Sequence, residues 1–272
     1  MLKDLRREVQ HWRADAYVLS FPKCGRTWLR VMVAQVFAQH FGIRIPDSMR
    51  LHAHGSRLRG IPRVRVTHDW KNRETFAVDP DKRRFRRKAV VFMIRDPRDV
   101  VVSQYFHRLK RKRNYQGTLD DFVRHERASL ADLVAYYNVW ARERDHIDRF
   151  HVLRYEDLHA EPVDRLARVV EFLGVPDVPA GIIEAAVEAC SFDRMQKMEQ
   201  QGEFASGRLQ ARDASDPESY KARSGEVGGY RGHFSADLAR YVDDYLQAHL
   251  DAYYAAYRAP TADDWPAEVS DE

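Results

Sequence analysis

Tyr17-Val18-Leu19-Ser20-Phe21-Pro22-Lys23-Cys24-Gly25-Arg26-Thr27-Trp28 is the stretch that decides the fold. The run Tyr17 to Phe21 has the length and apolarity of a buried strand, and Pro22 closes it. From Trp28 the chain continues Leu29-Arg30-Val31-Met32-Val33-Ala34-Gln35-Val36-Phe37, a spacing that predicts a buried helix. A strand, a tight basic turn and a helix N-terminus together make an anion site. The first helical N–H groups have no intrahelical acceptor, and the helix dipole favours negative charge there. Lys23 and Arg26 add cations, Thr27 a hydroxyl, and Gly25 lets the backbone approach a ligand. Taken alone, Lys23 to Trp28 would serve equally well as an ordinary strand-to-helix turn with a solvated lysine.

The nucleotide-binding order G-x-x-x-x-G-K-[ST] is absent here, because Lys23 precedes the only glycine of the turn. A second buried-strand run, Val90-Val91-Phe92-Met93-Ile94, leads into Arg95-Asp96-Pro97-Arg98-Asp99. Pro97 suits the first turn of a helix and Asp96 its cap, which places Arg95 at the strand end and Ser103 about two turns into the helix. Arg95 can fork two hydrogen bonds onto one phosphate. It can also simply pair with Asp96 or Asp99.

The order of these pieces resembles the sulfotransferases that use 3′-phosphoadenosine 5′-phosphosulfate (PAPS). Pro22-Lys23-Cys24-Gly25-Arg26-Thr27-Trp28 looks like the family's 5′-phosphosulfate loop, and Arg95 with Ser103 like its 3′-phosphate motif. Tyr155-Glu156-Asp157 resembles its Y-E-D segment, with the Tyr near the adenine. Ser191-Phe192-Asp193-Arg194-Met195 resembles S-F-x-x-M, whose Phe packs on the adenine opposite the loop Trp, here Trp28. Arg223-Ser224-Gly225, followed by Gly228-Gly229-Tyr230-Arg231, resembles the loop that closes over the 3′-phosphate. Ser224 stands where a Lys is usual, and Gly229-Tyr230-Arg231 replaces Asp-Trp-Lys. Thr67-His68 matches the family's K-T-H, with Val66 in place of the Lys. The likeness spans residues 15 to 256 in five ordered motifs.

The resemblance implies an in-line sulfuryl transfer to a hydroxyl, or less readily an amine, without a metal. His68 would take the acceptor's proton, as a neutral imidazole can. Lys23 would stabilise charge growing on the leaving phosphate oxygen. Gly25, Arg26 and Thr27 would hold the 5′-phosphate, with Cys24 and Trp28 completing the loop. The acceptor could be a small molecule, a glycan or a lipid. His68 could instead be a structural histidine held by Asp69 or a loop carbonyl.

The three strand runs at 17–21, 90–94 and 151–155 are each followed by helical pattern, and 64–67 alternates like a fourth strand. Helices are predicted at 28–40, 98–111, 119–127, 130–147, 163–173, 180–189 and 236–256, with Gly174 a natural stop. The expected fold class is therefore α/β: one domain over 1–260, with a central parallel β-sheet flanked by helices, and a disordered acidic tail over 261–272. Residues 197–222 lack clear periodicity and could form a lid.

At 44% hydrophobic, 272 residues suffice for a sizeable core, and a net charge of +4 does not argue for nucleic acid. Two basic runs, Lys82–Lys88 and Arg108–Arg113, could steer an anionic acceptor or belong to a solvated edge and a helix end. Cys24 and Cys190 fit no metal or redox spacing, although a thiol reagent at Cys24 would be expected to block the loop. His52-Ala53-His54 lacks further ligands. The charged start, Met1 to Glu8, has no signal-peptide core, and no apolar stretch reaches the ~20 residues of a membrane span, so a cytoplasmic protein is expected. Two rival readings remain: a non-catalytic polyanion-binding protein working through the basic runs, and an atypical nucleotide kinase. The K-x-x-x-T-V-x-x-x-E dimer signature of cytosolic relatives is absent after Phe234, which leaves the oligomeric state open.

Overall fold

Strand β5 (Ala89–Ile94) is buried along its whole length, which is how a strand reads when both faces of a parallel sheet are covered. It lies third in a four-stranded sheet with β1 (Ala16–Leu19), β2 (Val64–Thr67) and β6 (Arg149–Arg154), in the order β2-β1-β5-β6. Every pairing is parallel, with Leu19 facing Thr67 on one side and Phe92 on the other. The computed structural model describes residues 9, 11–45, 48–72, 76–202, 220 and 225–261.

Successive residues of a strand point to opposite faces, and β5 divides accordingly. Val90, Phe92 and Ile94 enter one core, and Ala89, Val91 and Met93 the other. The second core is covered by α1 (Arg26–His40), α6 (Pro162–Phe172) and α7 (Ala180–Ala189). The first is covered by α2 (Pro97–Phe106), α4 (Leu130–Glu143) and α9 (Ala236–His249). Phe92 there stacks on Trp140 at 5.2 Å between ring centroids. The remaining helices are α3 (Leu119–His125), α5 (Tyr155–Ala160) and α8 (Phe192–Gln200).

The predicted elements are present with shifted ends. Strand 17–21 stops at Leu19, and strand 151–155 stops at Arg154 because Tyr155 already opens α5. The helix predicted over 98–111 is α-helical only to Phe106 and continues as a π-helical turn over His107–Lys112. The last predicted helix breaks after His249, with Leu250 extended, and resumes as a 3₁₀ segment over Ala252–Tyr257. Gly174 ends α6 with φ +97°, and the Val175 N–H reaches back to the Val170 carbonyl at 3.1 Å. Helix α8, within which 197–200 fall, and a short antiparallel pair, β3 (Trp70–Asn72) with β4 (Ala77–Val78), were not foreseen. The acidic tail beyond Thr261 and most of 197–222 lie outside the described residues.

Asp96 caps α2 by accepting the Arg98 N–H at 2.9 Å. Arg98 itself is 2% exposed and binds Asp243 at 2.8 Å and the carbonyls of Tyr257 and Ala259, fastening the segment after α9 to the strand-to-helix turn. Removing one partner of such a buried pair costs about 3–5 kcal/mol.

Candidate active site

In the order β2-β1-β5-β6 the chain leaves β1 toward β2 and returns on the other side of β1, so a crevice opens at the C-terminal ends of these strands. Each strand ends on a candidate residue: β1 before the Lys23 turn, β2 before His68, β5 before Arg95 and β6 before Tyr155. The resulting cleft has a volume of about 1540 Å³. Lys23, Gly25, Arg26, Thr27, Trp28, His68, Arg95, Ser103, Tyr155, Phe192 and Gly225 all line it.

The turn after β1 is left-handed at Lys23 (φ +72°) and Gly25 (φ +85°), and it delivers Arg26 as the first residue of α1. No side chain caps α1 and its first turn carries no acidic residue, so its N–H groups are placed to receive an anion. Gly25 is required by contact as well as by φ. A Cβ there would sit 2.5 Å from the Tyr155 ring and 2.8 Å from the Met93 methyl. Cys24 points the other way, fully buried, with its Sγ 3.4 Å from the Tyr137 hydroxyl. Burial pushes its thiol up to about 12. The reagent-accessible thiol expected from the sequence is therefore not there, and Cys24 can meet a ligand only through its backbone.

Arg95 is 8% exposed. One terminal nitrogen donates to the Glu226 carbonyl at 2.6 Å and to Asp99 at 3.2 Å, and the guanidinium lies 4.4 Å from the Tyr155 ring centroid. Its Nε is buried without a hydrogen-bond partner among the described residues. Asp99 also accepts the N–H groups of Gly228 (2.9 Å) and Tyr230 (3.1 Å), which ties the C-terminal loop to the strand-to-helix turn. Tyr155 donates its hydroxyl to the Gly225 carbonyl at 2.6 Å, and Phe192 packs on Gly225 from the other side. Trp28 meets Tyr155 edge-on at 6.0 Å and donates its indole N–H to the Cys190 carbonyl at 2.7 Å. Arg223 and Ser224 lie outside the described residues.

His68 is half-buried, and both ring nitrogens are engaged. Nδ1 lies 2.7 Å from the Ser20 carbonyl, which requires a proton on Nδ1. Nε2 lies 2.7 Å from a terminal nitrogen of Arg26. Trp70 stacks against the ring at 6.1 Å, and Tyr136 donates its hydroxyl to the His68 carbonyl at 2.9 Å. Asp69 is not the histidine's partner. It turns away at φ +56° to bind buried Lys82 at 2.7 Å, together with Arg84.

Residues 13–254 match the family described as the sulfotransferase domain. The chain belongs to this family. It is 22% identical to flavonol 3-sulfotransferase of Flaveria bidentis, over 88% of this chain and 82% of that one. It is 24% identical to cytosolic sulfotransferase 16 of Arabidopsis thaliana, over 91% and 80%. Among solved structures, mouse sulfotransferase SULT7A1 complexed with PAP superposes with a TM-score of 0.60 at 20% identity, covering 90% of this chain and 88% of that one. Retinol dehydratase in complex with androsterone and the inactive cofactor PAP gives 0.58 at 19%, covering 86% and 80%. These two are likenesses of fold.

In this sulfotransferase the two basic runs are largely paired within the fold. Lys82 is fully buried on Asp69, and Arg83 pairs with Asp81 at 2.6 Å. Arg86 lies 3.7 Å from Asp148, and Lys88 donates to the Ala14 carbonyl at 2.6 Å. In the second run, Arg108 pairs with Glu126 at 2.8 Å and Arg111 with Glu199 at 2.6 Å. Two residues that the sequence reading missed hold the site in place. Tyr136 fixes the His68 carbonyl, and the neighbouring Tyr137 both accepts the Arg95 N–H and donates to the Arg95 carbonyl, each at 2.9 Å. The signal was present in the sequence: a tyrosine pair in an apolar helix needs partners for its hydroxyls.

Proposed function

We propose that this sulfotransferase transfers a sulfuryl group from PAPS to the hydroxyl of a small-molecule acceptor, with His68 as general base and Lys23 stabilising the leaving phosphate oxygen. The observation that carries this is the aim of His68. Its Nδ1–H is committed to the Ser20 carbonyl, so its basic lone pair is on Nε2, on the side of the anion-binding turn. The donor supplies an activated sulfur–oxygen bond, and the chain's own residues fit it in three places. The uncapped start of α1 suits the 5′-phosphate, with Gly25, Arg26 and Thr27 offering N–H groups and Thr27 a hydroxyl. The Nε of Arg95, without a hydrogen-bond partner among the described residues, and Ser103, which also lines the cleft, suit the 3′-phosphate. Trp28, Tyr155 and Phe192 offer aromatic faces for the adenine, a contact worth roughly 1–3 kcal/mol per stacked base. Arg223, Ser224 and Gly225 would add to the 3′-phosphate site, and Cys24 contributes backbone only.

The acceptor would lie beyond His68, against Val66, Trp70, Phe76, Val102 and Met195. That apolar wall favours a flat or ring-shaped hydroxyl compound over a glycan or a lipid headgroup, in keeping with relatives named for flavonols. A cytoplasmic setting is part of the same reading, supported by relatives named cytosolic sulfotransferases. Among the described residues no helix is long and apolar enough to cross a membrane.

The test is calorimetric titration of 3′-phosphoadenosine 5′-phosphate (PAP) into wild type and Arg95→Ala without metal, with ATP as control. The expected result is tight PAP binding lost in the variant and far weaker ATP binding. An acceptor screen spanning phenols, steroids, glycans and lipids then follows, with His68→Ala as the inactive control. No PAP binding to wild type overturns the proposal, and equal ATP binding would favour a kinase.

A further inference from the structure

The contact between Arg26 and His68 does not belong to a resting base. A guanidinium has donors only, so at 2.7 Å from Nε2 it occupies the very lone pair that proton abstraction requires. The ring cannot offer its other nitrogen, because Nδ1 is committed to Ser20. Arg26 also stands at a crossing point. Its backbone opens α1, where the donor's phosphate would sit, and its side chain ends on the base, where the acceptor oxygen would sit. Arg26 thus connects the two ends of the proposed transfer, through its backbone at one and its guanidinium at the other. The one cation on β2, Arg65, lies over the Tyr17 ring at 6.0 Å from its centroid. Val66, on β2 two residues before His68, is apolar and lines the cleft.

We propose that Arg26 is a catalytic residue with two positions, on Nε2 in the absence of a sulfuryl group and on the sulfuryl oxygens in its presence. This rests on the sulfotransferase function proposed above. An anionic oxygen is a stronger acceptor for a guanidinium than a neutral imidazole, since it adds the attraction of opposite charges to the hydrogen bond. The donor's sulfuryl group thus draws Arg26 off the base, and the base becomes available only once the donor is in place. During transfer the bond from sulfur to the 5′-phosphate oxygen breaks, and its electron pair stays on that oxygen. The bond from the acceptor oxygen to sulfur forms, and the acceptor proton passes to Nε2. Arg26 neutralises the charge carried by the sulfuryl oxygens throughout, in place of a cation at position 66. PAP carries no sulfuryl group, so it leaves Arg26 on the base.

The test compares wild type with Arg26→Ser and needs no acceptor. PAP and PAPS are titrated by calorimetry, and the carbethoxylation rate of His68 by diethyl pyrocarbonate is read by peptide mass mapping on the ligand-free proteins. Arg26→Ser should weaken PAPS by about tenfold while leaving PAP within about twofold. It should also speed His68 modification by about tenfold, because the lone pair is uncovered. Arg26→Lys should fall between the two on both readouts. A purely structural Arg26 would weaken PAP and PAPS alike, or neither, and that result overturns the proposal. Unchanged His68 reactivity in Arg26→Ser with PAP binding intact also overturns it. Failure of wild type to bind PAP removes the sulfotransferase function, and this inference with it.

Discussion

Gly25→Ala probes both halves of the anion-binding turn at once, its backbone and its neighbour. At φ +85° an alanine adopts the left-handed conformation at a cost of about 1–2 kcal/mol. Its Cβ would also overlap the Tyr155 ring, 2.5 Å away, and that ring has nowhere to go. Tyr155 is 6% exposed and its hydroxyl is held by the Gly225 carbonyl at 2.6 Å. Overpacking of this kind adds about 1–3 kcal/mol, for a total of roughly 2–5 kcal/mol and a Tm lowered by roughly 5–15 °C. Gly174→Ala is the matched control, since Gly174 has φ +97° and nothing within 4 Å of a built Cβ. It should cost only the backbone share. The assays are urea unfolding and PAP calorimetry on both variants. Gly25→Ala should also lose PAP affinity by more than about tenfold, because the turn must move to relieve the contact. A Gly25→Ala protein no less stable than Gly174→Ala, with PAP binding retained, would refute the reasoning.

Neither cysteine should react with iodoacetamide at about pH 8 in the native protein, because burial holds the thiols of Cys24 and Cys190 at about 12, and both should react after denaturation. Prompt native labelling of Cys24 would contradict the packing described here. Burial raises the Asp96 carboxyl to about 6, against the opposing pull of Arg98, so the folded chain binds that proton more tightly than the unfolded one. The resulting stabilisation is present below 3.8 and is lost as pH rises through about 6, at most about 3 kcal/mol. Asp96→Asn keeps an acceptor for the Arg98 N–H and should flatten this slope in urea unfolding between roughly pH 4 and 7. An unchanged slope would count against the assignment.

The parallel sheet was legible because three of its strands show as runs followed by helical pattern, and the fourth, β2, alternates. The β1 turn and the start of α2 were legible because glycine, proline and a capping aspartate mark such ends. What stayed hidden depends on partners distant in sequence. Lys82 and Arg108 read as solvated or ligand-seeking charges until the fold supplies Asp69 and Glu126. Helix α8 was hidden because its apolar positions are few, with Met195 the only one buried. At the site, the order of motifs brought Arg95, His68 and the Lys23 turn to one crevice. Nothing local announced that Asp99 would hold Gly228 and Tyr230, or that Arg26 would end on His68.

The carbonyl that aims His68 belongs to Ser20, one residue past the end of β1. Had the strand run on to Phe21, as its composition suggests, that oxygen would be drawn into the sheet and the imidazole would be free to flip. The protonation pattern of the base is thus written into the chain's path and not into any side chain. Replacing Ser20 with alanine removes an Oγ that has no hydrogen-bond partner among the described residues and leaves the aiming contact untouched. Scanning mutagenesis would therefore be silent at the very residue that orients the base. Only inserting or deleting a residue between Leu19 and Pro22 would expose the dependence.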